Sequence, residues 1–194
     1  MNYTVAHYTE HRNLSNGVLM FDLDAPYQRG AVWTGDQRHA LIRSMLEGVP
    51  IGSLVIAKLG VETVRDGVSP YRVIDGKQRI ETLRAFHDDQ FAVPGWWWEE
   101  ADLTVPRDRD VTYSNLSNRG RARFENRVMP SLEFDSDVVF LGIEPGTENR
   151  LWGTRTNDEA IAAEADLYLR VNFGGVDQTD TDRDRATAVA AKGD

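Results

Sequence analysis

Cysteine is absent from all 194 residues of the sequence. That excludes thiolate zinc sites, iron–sulfur clusters, cysteine nucleophiles and disulfides, and it fits a reducing cytoplasm. Lysine is nearly absent too: of 22 basic residues only Lys58, Lys77 and Lys192 are lysines. No apolar run approaches the roughly 18 residues needed to cross a bilayer, and the first dozen residues lack the basic-then-apolar pattern of a secretory signal. A cytoplasmic protein without a membrane partner is expected. Internal repeats, low-complexity tracts and long Gly/Ser/Pro linkers are missing as well. So are a Walker-type glycine loop ending in Lys-Ser or Lys-Thr and a His-based nuclease motif.

What is present has globular proportions, with 41% hydrophobic and 27% charged residues. A chain of this length buries enough surface to fold without a metal or disulfide staple. The net charge of −9 is unevenly spread: residues 1–91 hold 11 acids against 10 bases, and residues 92–194 hold 20 against 12. A uniformly attractive face for nucleic acid is therefore not expected, and any phosphate contact has to come from a local cluster. One domain over 1–176 is expected, followed by an acidic tail or short helix over 177–194.

Periodicity organises the first half well. Residues 18–24 read as a strand, followed by the loop that carries Tyr27, Gln28 and Arg29. Thr34 and Gln37 form a capping-box signature, and Leu41, Ile42, Met45 and Leu46 recur at helical spacing until Gly48 and Pro50 stop the helix. Two β-type runs, 53–59 and 71–74, predict a hairpin around a turn-rich tip at 60–70. Helical spacing resumes over 77–89 through Ile80, Leu83 and Phe86. Further on, a helix over 117–127 is weakened by Gly120, a strand is predicted over 138–143, and a helix over 157–171 takes Asn157 as its cap.

The densest chemical signal is Val73-Ile74-Asp75-Gly76-Lys77-Gln78-Arg79, a strand, a sharp turn and a helix start. Glycine lets backbone amides approach a ligand closely, and a helix N-terminus offers N–H groups at the positive end of its dipole. Lys77 and Arg79 stand in the first helical turn, where a cation disfavours the helix unless an anion sits over it. Asp75, just before the turn, is placed to hold Mg²⁺ or to orient a water. The competing reading is an ordinary Asp-Gly turn with an aspartate cap and two solvated bases. Arg29 offers a planar guanidinium suited to phosphate, with the Gln28 amide beside it. Asn172 ends a helix before Gly174, either as part of a plain helix stop or as a polar group facing a ligand.

Three other features are read mainly as structural. The indoles of Trp96, Trp97 and Trp98 could stack a nucleobase, but core packing is the stronger reading because adjacent side chains in an extended run do not share a face. His7, His11 and Glu10 imitate a helical metal pair without a third ligand. Arg119, Arg121, Arg123 and Arg127 make the only dense basic patch, and a solvated helix face is preferred there over a nucleic-acid contact.

In order along the chain, Tyr27-Gln28-Arg29, Val32-Trp33, the helix exit from Leu41 to Ile51, Val73-Ile74-Asp75-Gly76-Lys77-Gln78-Arg79 with Thr82-Leu83, and Tyr168-Leu169-Arg170-Val171-Asn172 with Gly174-Gly175 together resemble the N-terminal domain family of GmrSD-type restriction enzymes, in the ParB/sulfiredoxin-like superfamily. The family's usual Asp-Gly-Gln-Gln-Arg stands here with Lys77 in the third position. The resemblance implies an α+β fold, a ParB/sulfiredoxin-like small mixed sheet with packed helices, and a nucleotide pocket at the Asp75–Arg79 turn. It also implies binding and hydrolysis of a nucleoside triphosphate with Mg²⁺, coupled to restriction of modified, often phage, DNA. Asp75 and Arg79 are the implied catalytic residues, with Asp75 the metal ligand. Gln28, Arg29, Gly76, Lys77, Gln78, Arg79 and Asn172 are the implied nucleotide- and phosphate-binding residues. The His-Asn-His domain that cuts DNA in such enzymes has no counterpart motif in these 194 residues. Two alternatives stand beside this reading: a non-catalytic regulator acting through a nuclease or other protein partner, for which the acidic second half is suited, and a metal-dependent nuclease acting on DNA.

Overall fold

The computed structural model describes residues 2–10, 13–14, 17–28, 33–59, 67–136, 138–143, 150–173 and 180–191. Its secondary structure is mixed α+β, and the chain forms two compact units. One gathers residues 1–12, 30–54 and 76–131; the other gathers 13–29, 55–75 and 132–194.

In the first unit, β1 (Asn2–Thr4) leads into α1 (Val5–Thr9). The helix α2 (Gly35–Glu47) starts and stops as its sequence predicts. The Thr34 hydroxyl accepts from the Gln37 N–H at 3.3 Å, and the Gln37 side-chain oxygen accepts from the Thr34 N–H at 2.9 Å. Leu41, Ile42, Met45 and Leu46 are buried, and Gly48 ends the helix at φ +76°. The helix α3 (Lys77–His87) buries Ile80, Leu83 and Phe86. Phe86 centres an aromatic cluster, with Trp98, Tyr113 and Phe124 at ring-centroid distances of 6.2, 6.4 and 5.3 Å. A short ladder of β5 (Val93–Pro94) on β6 (Asp110–Val111) and the helix α4 (Asn118–Glu125) complete this unit. Gly120, which weakens the helix signal in the sequence, is needed there by packing: a Cβ would sit 2.2 Å from the Asp102 carbonyl oxygen.

The second unit is built on a hairpin. β3 (Leu54–Lys58), whose first residue belongs to the other unit, pairs antiparallel with β4 (Tyr71–Asp75), placing Ile56 opposite Val73. β2 (Phe21–Asp22) runs parallel to β4. The predicted strand over 18–24 thus shrinks to two residues. The Asp22 carboxylate accepts the Asp24 N–H at 2.8 Å, a local turn that competes with a longer ladder. β7 (Val128–Asp135) begins in the first unit, where it pairs antiparallel with β1, and ends in the second. The sheet order is β1-β7-β3-β4-β2. β8 (Val138–Ile143) pairs with β9 (Arg150–Thr154); the sequence marks β8 but neither β7 nor β9.

Two helices close the second unit. α5 (Asn157–Phe173) is capped by Thr156 and not by Asn157, correcting the predicted cap by one residue. The Thr156 hydroxyl accepts from the Glu159 N–H at 3.4 Å, and the Glu159 carboxylate accepts from the Thr156 N–H at 2.7 Å. α6 (Asp180–Ala190) gives the predicted tail its helix. Ala186 joins Ala165 and Tyr168 of α5 and Tyr27, Val55 and Ile74 in one buried cluster. Ala160, Ala162 and Ala165 of α5 are buried on more than one side of the helix.

Candidate functional site

β4 ends at Asp75, and the chain turns into α3 through Gly76. Gly76 has φ +103°, and a Cβ on it would lie 2.1 Å from the Leu54 Cδ2. Both conformation and contact therefore demand glycine here. Beyond it, α3 starts with no side-chain cap and no acid in its first turn, so nothing in its own sequence complements the positive end of its dipole. It carries Lys77 and Arg79 there instead.

Neither base is free in solvent. The Lys77 side chain is only 12% exposed, with Nζ 3.8 Å from a Glu81 carboxylate oxygen. The Arg79 guanidinium is half-buried, and its Nη1 donates to the Ile51 and Ser53 carbonyls, each at 3.1 Å. Gly52, at φ +76°, makes room for it, since a Cβ there would come within 3.0 Å of that nitrogen. The reading of the turn as an Asp-Gly corner with two solvated bases is therefore set aside: both cations are held in place.

The two glutamines of the predicted site bind backbone. Gln78 Oε1 accepts the Trp33 N–H at 3.2 Å, while its Nε2 donates to Glu81 at 3.4 Å. Gln28 Nε2 donates to the Val73 carbonyl and, at 3.2 Å, to the Ile74 carbonyl. Each glutamine thus ties one of the segments 27–33 and 73–79 to the other's backbone, and this explains why the two motifs need amide side chains. Arg29 lies outside the described residues, as does the side chain of Asn172; the backbone of Asn172 is in the last turn of α5.

Beside Arg79 the first unit opens a cleft of about 530 Å³. One wall is a stripe of α2, Gln37, Ala40, Leu41 and Ser44, at the three- and four-residue spacing of a single helix face. Trp33 lines it at the entry to that helix, and the Pro50-Ile51-Gly52 corner and Arg79 line it at the helix exit. Trp33 and Leu41 stand in the motifs quoted for the family without a role assigned there, and Gln37, Ala40 and Ser44 were not marked as lining a cleft. The small and polar members Gln37, Ala40 and Ser44 on an otherwise amphipathic helix were the available signal.

The second unit holds a buried ion network around Tyr27. Arg72 on β4 donates to Glu164 on α5 at 2.8 Å and to Asp22 at 3.2 Å, and the Tyr27 hydroxyl donates to Glu164 at 3.1 Å. Glu164 is fully buried. Burial, reinforced by the adjacent Glu164 charge, holds the Tyr27 phenol well above its ordinary value. For Arg72, burial opposes the charged form, but Glu164, Tyr27 and Asp22 together outweigh it and raise the guanidinium further. The network fixes Tyr27, and with it the start of the loop bearing Gln28.

The remaining candidates resolve into structure. His7 Nδ1 accepts the Thr4 N–H at 3.2 Å and so serves the cap of α1; His11 lies outside the described residues. Arg123 binds Asp102 at 2.6 Å, Arg119 binds Asp102 at 3.1 Å and also Glu99, Arg121 lies over the Tyr113 ring, and Arg127 donates to the Leu46 carbonyl at 3.1 Å. This patch is occupied by internal contacts. The indoles divide: Trp98 is buried on Phe86, and Trp96 is 60% exposed. Among the described residues no group of three His, Asp or Glu side chains could hold a metal ion, and no helix is long and apolar enough to cross a membrane.

Residues 12–186 match the family described as GmrSD restriction endonuclease, N-terminal domain. No curated protein and no solved structure matches the chain.

Proposed function

The chain belongs to the GmrSD restriction endonuclease N-terminal domain family, and from this membership and the β4–α3 turn we propose that it binds a nucleoside triphosphate and hydrolyses it in the service of a restriction system. The observation that carries the reading is the pair of half-buried cations, Lys77 and Arg79, in the uncapped first turn of a helix entered through an obligatory glycine. Two cations in the first turn of a helix disfavour it, and this is only partly offset by the Glu81 carboxylate 3.8 Å from Lys77; a polyanion would relieve it. Lys77 and Arg79 neutralise the phosphates, and the amides after Gly76 donate to them. Gln28 and Gln78 act through the backbone they hold. The phosphate roles given to Arg29 and Asn172 stay part of the proposal. A ParB/sulfiredoxin-like ancestry for the sheet and helices belongs to the same reading.

Mg²⁺ enters this proposal with the nucleotide. It keeps most of its waters and needs only one or two carboxylates beside the phosphates, so the lack of a three-ligand protein cluster among the described residues does not conflict with it. Asp75, the carboxylate at the turn, is the residue to hold the ion or orient the attacking water. Water attacks the terminal phosphorus, the bond to the bridging oxygen breaks, and a nucleoside diphosphate and inorganic phosphate leave. Measuring phosphate release from ATP, GTP and CTP tests this: Asp75→Asn is expected to abolish release while retaining nucleotide binding, and Arg79→Ala to lose binding. Equal release by wild type and Asp75→Asn would remove Asp75 from the chemistry. Release by neither, with nucleotide bound, would leave a binding module acting through a partner.

A further inference from the structure

We infer that the cleft between Trp33, the α2 stripe and Arg79 receives the nucleobase of the bound nucleotide, with the Trp33 indole as its stacking surface. The inference rests on the phosphate reading above and adds to it where the rest of the ligand goes. Three features of the cleft describe its occupant. Its apolar lining, from Trp33, Leu41 and Ile51, suits a flat apolar body. Its α2 wall is low, because Ala40 and Ser44 are small, and it carries a hydroxyl at Ser44 and an amide at Gln37. The Gln37 oxygen is already fixed by the Thr34 N–H, so the side chain presents its NH₂ from a held position. Finally, one edge is Arg79, a cation of the proposed phosphate site that is itself fixed by two carbonyls. A ligand with a planar heteroaromatic body, a hydrogen-bonding edge and an anionic tail has this combination. At about 530 Å³ the cleft has the size of a small-molecule site.

The placement also gives Gln78 a purpose within the motif. By accepting the Trp33 N–H it couples the first turn of α3 to the residue that lines the base-binding wall. Phosphate-side and base-side elements are thereby held in one register.

The experiment compares affinities for ATP and for tripolyphosphate, both with Mg²⁺, by titration calorimetry on the full chain. Wild type is expected to bind ATP more tightly than tripolyphosphate. Trp33→Leu is expected to weaken ATP by about tenfold to a hundredfold, the usual worth of one base–aromatic stack, and to leave tripolyphosphate unchanged. Trp33→Phe, which keeps a ring, is expected to recover most of the loss. Ala40→Leu raises the low α2 wall of the cleft from an exposed helical position and is expected to weaken ATP selectively without affecting folding. Equal wild-type affinity for the two ligands, or variants that leave ATP unchanged or weaken both ligands alike, would overturn the base site and leave the phosphate reading standing. Binding of neither ligand by wild type would overturn the phosphate reading, and the base site with it.

Discussion

Tyr27 and Gln28 are neighbours with separate tasks. Tyr27 points its hydroxyl into the Arg72–Glu164 network, and Gln28 places its amide on the carbonyls that end β4. In the sequence both read as members of one surface loop, because a hydroxyl or an amide looks the same whether it serves a ligand or the chain itself. Arg72 and Glu164 carried no signal at all, since their pairing spans 92 residues and follows neither a helical nor a strand period. A buried pair of this kind is costly to break from one side. Arg72→Met alone is expected to destabilise the protein by about 3–5 kcal/mol, because it leaves Glu164 buried without a cation, and Glu164→Leu by less, because Asp22 still faces Arg72. The double variant is expected to lose clearly less than the sum of the two. Urea unfolding of the four proteins measures this, and additive losses would contradict direct coupling.

At the level of elements, local rules were legible wherever a local partner enforces them. The Thr34–Gln37 box, the buried stripe of α2, the β3–β4 hairpin and the start of α3 were all predicted from spacing, because each leaves a local signature of cap, period or turn in its own residues. β7 escaped because its exposure alternates irregularly and its pairing is long-range. The α5 cap was misplaced by one residue because Thr156 and Asn157 are both competent caps and only Thr156 has Glu159 three positions on. Two predictions belong here. Gly120→Ala is expected to cost about 1–3 kcal/mol, since its Cβ would press on the backbone at Asp102 and not on a yielding side chain; equilibrium unfolding would show it. The Glu159 carboxyl is held below its ordinary value by the hydrogen bonds from the Thr156 N–H and hydroxyl. A depressed carboxyl contributes stability in full above the ordinary glutamate range and loses it as the pH falls from that range through the lowered value of the folded state. Melting curves between about pH 7 and pH 3 are therefore expected to show a shallower acid decline for Glu159→Gln than for wild type.

Over the whole molecule, charge argues against general affinity for nucleic acid, so the proposed anion site has to be a confined one. The chain carries −9 overall, its densest arginine patch is bound to its own acids, and at the β4–α3 turn Lys77 faces Glu81 while Arg79 is held by carbonyls. The family was readable because its motifs recur in order, and the residues that link those motifs turned out to be the glutamines. What the motifs did not reveal was the cleft: they contain Trp33, Leu41, Pro50, Ile51 and Arg79, but not how these come together around the Gln37, Ala40 and Ser44 stripe. Titration of the protein with ATP and Mg²⁺, wild type beside Lys77→Ala, tests the central claim most directly. The account predicts saturable binding by wild type and at least about a tenfold loss in the variant, within the range of a hydrogen bond to a charged group. An absence of binding to ATP, and equally to GTP and CTP, would contradict it.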